Sequence, residues 1–205
     1  MLANHFTNLR LAALGLNDAA ARRGRRGLAE LAASDPRLRA LDARLAAVRQ
    51  GEPPKDPAER LGLARRAYQT RHFALSARLW DEALEADEKL APDRETQHAY
   101  NAACAAALAA SGQGADDPPP DDAGKTRLRG QALAWLQGEL AAWSKFAEGG
   151  SAEAKAAVAR TLDQWTTDPD LAGVRDADAL DKLPEAEKQA WRAFWAEVAA
   201  LRARL

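Results

Sequence analysis

Apolar residues recur along most of the chain at spacings of three and four, the period of an α-helix that buries one face. The longest such stripe lies near the C-terminus and comprises Trp191, Phe194, Trp195, Val198, Leu201 and Leu205. Two shorter stripes precede it: Val158, Leu162 and Trp165, and Leu133, Leu136, Leu140 and Trp143. The pattern predicts a chain built from amphipathic helices.

Capping residues and turn formers predict where these helices begin. Asp35-Pro36 and Asp56-Pro57 each place a carboxylate before a proline at the first helical position. Ser151, after two glycines, predicts a third helix start. Residues 111–124 are rich in glycine, proline and aspartate, which is typical of a disordered loop.

Composition supports an all-helical chain and narrows the classes of function. The chain is rich in alanine, contains no isoleucine and has only four valines, so strands are not expected. The 29 basic and 30 acidic residues give a net charge of -1, too small a field to draw the protein onto nucleic acid or an anionic membrane. We expect a cytoplasmic protein, because no signal peptide or membrane-spanning stretch is evident.

One segment resembles a tetratricopeptide repeat, a unit of two antiparallel helices with large and small residues at fixed positions. The positions that carry the resemblance are Leu63, Ala64, Phe73, Trp80, Ala83 and Asp87. Ser76 and Glu88 depart from the pattern, which has alanine and proline there. Tyr100-Asn101-Ala102-Ala103 resembles the start of a second unit.

From about Leu41 onward, the sequence resembles the C-terminal tetratricopeptide region of large bacterial serine/threonine protein kinases. The resemblance rests on Leu41–Leu45, Tyr100–Leu108, Arg129–Leu136, Asp168–Asp176 and Leu183–Glu187. The Gly-rich loop, the His-Arg-Asp loop and Asp-Phe-Gly of a kinase domain are absent from the sequence. The resemblance therefore implies the tail's interaction role, without catalysis and without a cofactor.

These observations together predict an all-α fold of stacked antiparallel helical hairpins, a tetratricopeptide-like right-handed solenoid with a C-terminal helical extension. Residues 1–50 would form basic N-terminal helices and a degenerate repeat. Residues 55–148 would form the repeats, with a loop insertion at 111–124, and residues 151–205 would cap them.

The solenoid implies a concave groove lined by inner helices at about residues 61–70 and 98–109, which would accept a protein or peptide partner. The polar side chains predicted to contact that partner are Arg60, Arg65, Arg66, Gln69 and Asn101. The sequence does not indicate which protein the partner is or how many copies of the chain associate.

An alternative partner is a nucleic acid or a phosphopeptide, bound through a basic patch. The patch comprises Arg22, Arg23, Arg25 and Arg26, in a stretch of 50 residues that holds nine arginines against four acidic residues. No aromatic residue is interleaved with these arginines to stack on bases, so a solvated helix face is the preferred interpretation.

Other patterns imitate chemical sites incompletely. Gly124-Lys125-Thr126 resembles the end of a phosphate-binding loop, but Pro119 replaces its first glycine. Asp168, Asp170 and Asp176 imitate a calcium loop that lacks its closing glutamate, and capping of short helical turns is the preferred role for Asp168 and Asp176. Cys104, the single cysteine, is expected to be a small buried residue, and no metal site is expected.

Overall fold

The computed structural model describes residues 35–205 apart from Pro92 and Glu95. The basic patch of residues 22–26 lies outside the described residues. Within them the chain is all helical, with no strand. The helices are α1 Pro36–Arg49, α2 Pro57–Gln69, α3 Phe73–Ala86, α4 His98–Ala110, α5 Asp122–Glu148, α6 Ala152–Thr167, α7 Ala172–Arg175, α8 Ala177–Leu180 and α9 Glu185–Ala203, with a 3₁₀ turn at Pro169–Leu171.

The chain divides into two compact units. The described part of the first unit contains α1, the residues that follow it to Pro54, and residues 94 and 96. The second unit contains α2 to α9. In the described residues, no helix is both long and apolar enough to cross a lipid bilayer.

The predicted helix starts at Asp35, Asp56 and Ser151 are confirmed. The Asp35 carboxylate accepts the N–H of Arg37 at 2.8 Å, and the Asp56 carboxylate accepts the N–H of Glu59 at 2.7 Å. The Ser151 hydroxyl accepts the N–H of Ala154 at 3.3 Å. Each side chain thereby satisfies one of the four N–H groups that a helix leaves unpaired at its start.

Helix α4 lies at the centre of the second unit. It packs on α3, on α5, and on the 3₁₀ turn with α7, and all thirteen of its residues are buried. Eight of those residues are alanine, and such small side chains let neighbouring backbones approach closely from several directions.

The C-terminal helices bury most residues of the predicted apolar stripes. Helix α5 has 27 residues and packs on α4, α6 and α9. The stripe of α9 is buried at Trp191, Phe194, Val198 and Leu201, as predicted. Trp195 is half-buried and donates its indole N–H to the carbonyl oxygen of Val174 at 2.8 Å, which joins α9 to α7.

The segment predicted to be a disordered loop has a defined structural role instead. Residues 111–121 are irregular, but the Asp116 carboxylate accepts the N–H groups of Ala74 at 3.0 Å and Leu75 at 3.2 Å. Helix α3 needs this cap, because the residue at its own N-cap position, His72, makes no side-chain cap. The loop therefore completes a helix start that is 42 residues earlier in the sequence.

The same loop supports the turn between α2 and α3. Arg71 has a left-handed backbone (φ 64°), and the N–H of His72 reaches back to the carbonyl of Ala67 at 2.8 Å. This is the geometry that usually places glycine after a helix. The Arg71 side chain donates to the carbonyl of Gln113 at 2.6 Å, which ties the turn to the loop.

Candidate functional site

Three of the predicted partner-contacting residues lie on one polar face of α2. Arg65 and Arg66 are half-buried and Gln69 is exposed. The other face of the helix anchors it in the core through three fully buried side chains, Leu63, Ala64 and Ala67. We call the surface formed by Arg65, Arg66 and Gln69 the α2 polar face.

Arg60 does not belong to the α2 polar face. Its Nε lies 3.4 Å from a carboxylate oxygen of Glu82 on α3, so the side chain is directed toward the neighbouring helix. Arg78 also pairs with Glu82, at 3.1 Å. The position of Arg60 is therefore explained by packing between α2 and α3.

Asn101, the fifth predicted residue, is only 8% exposed. It lies in the first turn of the buried helix α4, so the part of the predicted groove that α4 would line is not an open surface. A residue of α4 that was not among the predicted contacts is electrostatically coupled to the α2 polar face, because the charge of Arg65 lowers the pKa of His98.

His98 is buried and incompletely hydrogen-bonded. It is 2% exposed, and its Nδ1 has no hydrogen-bond partner. Burial lowers the pKa of the imidazole most, the Arg65 charge lowers it further, and Asp93 partly opposes them. At neutral pH the ring is therefore uncharged, and Arg65 lies close enough to influence it.

The helix start at His98 is also uncapped by its own N-cap residue. Gln97 has a left-handed backbone (φ 50°) and makes no side-chain cap, and the first turn of α4 contains no acidic residue. Asn101 is the first residue of α4 whose N–H bonds back within the helix, to the carbonyl of Gln97 at 3.0 Å. The N–H groups of His98 and Ala99 have no intrahelical acceptor, as is true of every helix start.

A second polar cluster lies where the chain after α6 crosses α2 and α4. The Tyr100 hydroxyl donates to Asp168 at 2.7 Å, and the Tyr68 hydroxyl donates to Asp170. Asp168 also accepts the N–H of Asp170 at 3.0 Å, which caps the 3₁₀ turn as predicted. We call Tyr68, Tyr100, Cys104, Asp168 and Asp170 the tyrosine–aspartate cluster.

The tyrosine–aspartate cluster holds one set of groups that could bind a metal. The Cys104 sulfur and one carboxylate oxygen each of Asp168 and Asp170 lie within 4.8 Å of one another. Both carboxylates, however, already accept hydrogen bonds from the tyrosine hydroxyls, and Asp168 additionally accepts a backbone N–H. These groups therefore fit a hydrogen-bonded contact that holds the chain after α6 against α2 and α4 better than they fit a metal centre.

Neighbouring contacts support this structural role of the tyrosine–aspartate cluster. The Arg175 guanidinium donates to the carbonyl of Asp168 at 2.6 Å, and the Trp165 ring stacks on Tyr100 with centroids 5.4 Å apart. Within residues 168–175, Leu171 and Val174 are fully buried. The cluster thus holds residues 168–175 against the central helix.

The structure also shows where the predicted buried cysteine and the last aspartate of the calcium-like pattern lie. Cys104 is fully buried, which confirms the prediction for it. Asp176 occupies an N-cap position but makes no side-chain cap, and its exposed carboxylate pairs with Arg175 at 2.9 Å. It lies outside the tyrosine–aspartate cluster, so the three aspartates of the calcium-like pattern do not converge.

Comparisons with protein-family models, with curated proteins and with solved structures found no match to this chain.

Proposed function

We propose that this chain is a non-catalytic protein–protein interaction module built from stacked helical hairpins. The observation that carries the proposal is the α2 polar face, where two half-buried arginines and an exposed glutamine project from a helix whose opposite face is fixed in the core. A rigid helix that presents arginine suits recognition of a partner, because guanidinium groups bind carboxylates and phosphates in a fixed geometry.

Sequence resemblance supports the same proposal. The tetratricopeptide-like segment spans α2 and α3, and its second unit begins in α4. If the resemblance to kinase tails reflects descent, the module would recruit substrates or scaffolds to a kinase catalytic chain. We therefore propose a kinase-associated role for the module and an extended or helical peptide as its ligand.

Site-specific photo-crosslinking tests the surface directly. A photoreactive residue placed at Gln69 should form a covalent adduct with the partner in lysate of the source cells. The matched control is the same residue placed at Gln164, which is exposed on α6. Mass spectrometry of the adduct then asks whether the partner is a kinase chain, and an adduct without one would contradict the kinase-associated role.

Charge reversal provides the quantitative arm of the test. The double variant Arg65→Glu, Arg66→Glu should reduce the Gln69 adduct by about tenfold or more, since it removes two charge-assisted contacts. The control, Arg127→Glu, Arg160→Glu, changes the net charge equally at two exposed arginines of α5 and α6. Equal crosslinking from Gln164, or an equal loss in the control variant, would contradict the proposed contact surface.

A further inference from the structure

The N-terminal end of α4 presents backbone N–H donors that the helix itself does not satisfy. The N–H groups of His98 and Ala99 have no acceptor within the helix, and Gln97 supplies no cap. The imidazole of His98 is buried with Nδ1 unpartnered. Because Cα–Cβ bonds in a helix tilt toward its N-terminus, the side chain of the first helical residue leaves the backbone in the direction of this end.

Unpaired polar groups inside proteins are rare enough that each one requires an explanation. The other long helices of the second unit do not present this combination. Helices α2, α5 and α6 are capped by their own N-cap residues, α3 receives Asp116, and α9 has Glu185 and Glu187 in its first turn. An acceptor supplied from outside the chain would complete the α4 end.

The local charges favour an anionic acceptor. Arg65 is half-buried, forms no ion pair among the described residues, and lies close enough to His98 for its charge to lower the pKa of the imidazole. Among the described residues, Asp93 is the acidic group that affects the His98 pKa, and its effect is smaller than the opposing effect of Arg65. The partial positive charge of the helix N-terminus acts in the same direction as Arg65.

We propose that the N-terminal end of α4 and Arg65 form a binding site for a phosphate-type oxyanion. The N–H groups of His98 and Ala99 would bind one oxygen, the imidazole N–H a second and the Arg65 guanidinium a third. A tetrahedral ion offers oxygens in three directions, whereas a carboxylate offers two in one plane. The neutral imidazole carries one proton, which moves to Nδ1 when that nitrogen becomes the donor.

This inference deepens the proposed function, on which its biological use rests: the partner of the α2 polar face would present a phosphorylated side chain. Free inorganic phosphate is the other source of the same chemistry. The site itself can be tested without any partner, so failure of the oxyanion site and failure of the proposed function give different results.

The test is a titration of the full chain with inorganic phosphate at constant ionic strength, followed through the backbone amide NMR signals. The amide signals of His98 and Ala99 should shift in a saturable manner. Arg65→Gln and His98→Gln should each weaken the affinity by about tenfold or more, because each removes a hydrogen bond to a charged group. Arg127→Gln, at an exposed arginine of α5, is the matched control and should leave the affinity unchanged.

Two further titrations sharpen the result. Acetate should bind more weakly than phosphate if three oxygens are used. A phosphoserine peptide that binds more tightly than phosphate identifies a phosphorylated partner as the source, and equal or weaker binding identifies the free ion. The proposal is overturned if phosphate leaves the His98 and Ala99 signals unshifted, if acetate binds as well, or if Arg127→Gln weakens binding as much as Arg65→Gln. A different combination is loss of the Gln69 crosslink in the Arg65→Glu, Arg66→Glu variant while the wild-type protein does not bind phosphate. That combination would retain the proposed interaction module and reject only the oxyanion site.

Discussion

Two polar clusters contact the central helix α4, and they differ in whether their hydrogen bonds are complete. In the tyrosine–aspartate cluster, Asp168 accepts both the Tyr100 hydroxyl and a backbone N–H. At the start of the same helix, Nδ1 of buried His98 has no partner, and Arg65, whose charge lowers the His98 pKa, forms no ion pair among the described residues. The contrast distinguishes a cluster that stabilises the fold from one that contains a buried nitrogen without a hydrogen-bond partner.

The largest expected effect is the loss of stability when the tyrosine–aspartate cluster loses one of its hydrogen-bonding groups. Asp168→Ala removes the cap of the 3₁₀ turn and leaves the buried Tyr100 hydroxyl without its acceptor. We expect the free energy of unfolding to fall by about 2–4 kcal/mol, measured by urea denaturation. Asp176→Ala is the matched control, since that aspartate is exposed at an N-cap position without a cap bond, and it should change stability by less than about 0.5 kcal/mol. If the two variants lose similar amounts of the free energy of unfolding, the tyrosine–aspartate cluster does not stabilise the fold more than an exposed aspartate does.

A smaller effect is expected from the cap of α3, which provides the counterpart to the uncapped α4. Asp116→Ala removes the acceptor for two N–H groups and should lower the free energy of unfolding by about 1 kcal/mol. It should also speed hydrogen exchange of the Ala74 and Leu75 amides. Asp117→Ala, at the exposed neighbouring residue, is the control. If both variants exchange at the wild-type rate, the 111–121 loop does not cap α3.

A third effect depends on pH: it is absent at neutral pH and emerges in acid. Because the pKa of His98 is lowered in the folded state, the unfolded chain binds a proton first as the pH falls through about 6.5. The stability that depends on neutral His98 is therefore present above that pH and is lost below it. Wild type should lose more stability than His98→Gln between pH 7 and pH 5, by no more than about 1.4 kcal/mol per pH unit. Identical pH profiles in phosphate-free buffer would show that His98 is not held neutral by the fold.

Local features of the fold could be predicted from the sequence, because each depends on neighbouring residues. The caps at Asp35, Asp56 and Ser151 and the stripe through Trp191 and Phe194 are of this kind. The all-helical class follows from composition in the same way. The solenoid arrangement and the kinase association remain predictions.

Features that depend on distant residues could not be predicted. Tyr68 and Asp170 are 102 residues apart, and Tyr100 and Asp168 are 68 apart, so no spacing rule joins them. The glycine, proline and aspartate content of residues 111–124 predicts a disordered loop, whereas Asp116 accepts backbone N–H groups of a helix 41 and 42 residues earlier in the sequence. His98 carried no motif, and only its burial beside Arg65 sets it apart.

The most direct test of the contrast between the clusters is a pH titration of the His98 imidazole nitrogens by NMR in phosphate-free buffer. We predict a pKa below 6.5 and, in the neutral ring, an Nδ1 signal typical of a nitrogen without a hydrogen bond. Adding phosphate should then raise the pKa, because the bound anion favours the charged ring. A pKa at or above 6.5 without phosphate, or an Nδ1 already engaged in a hydrogen bond, would contradict the account.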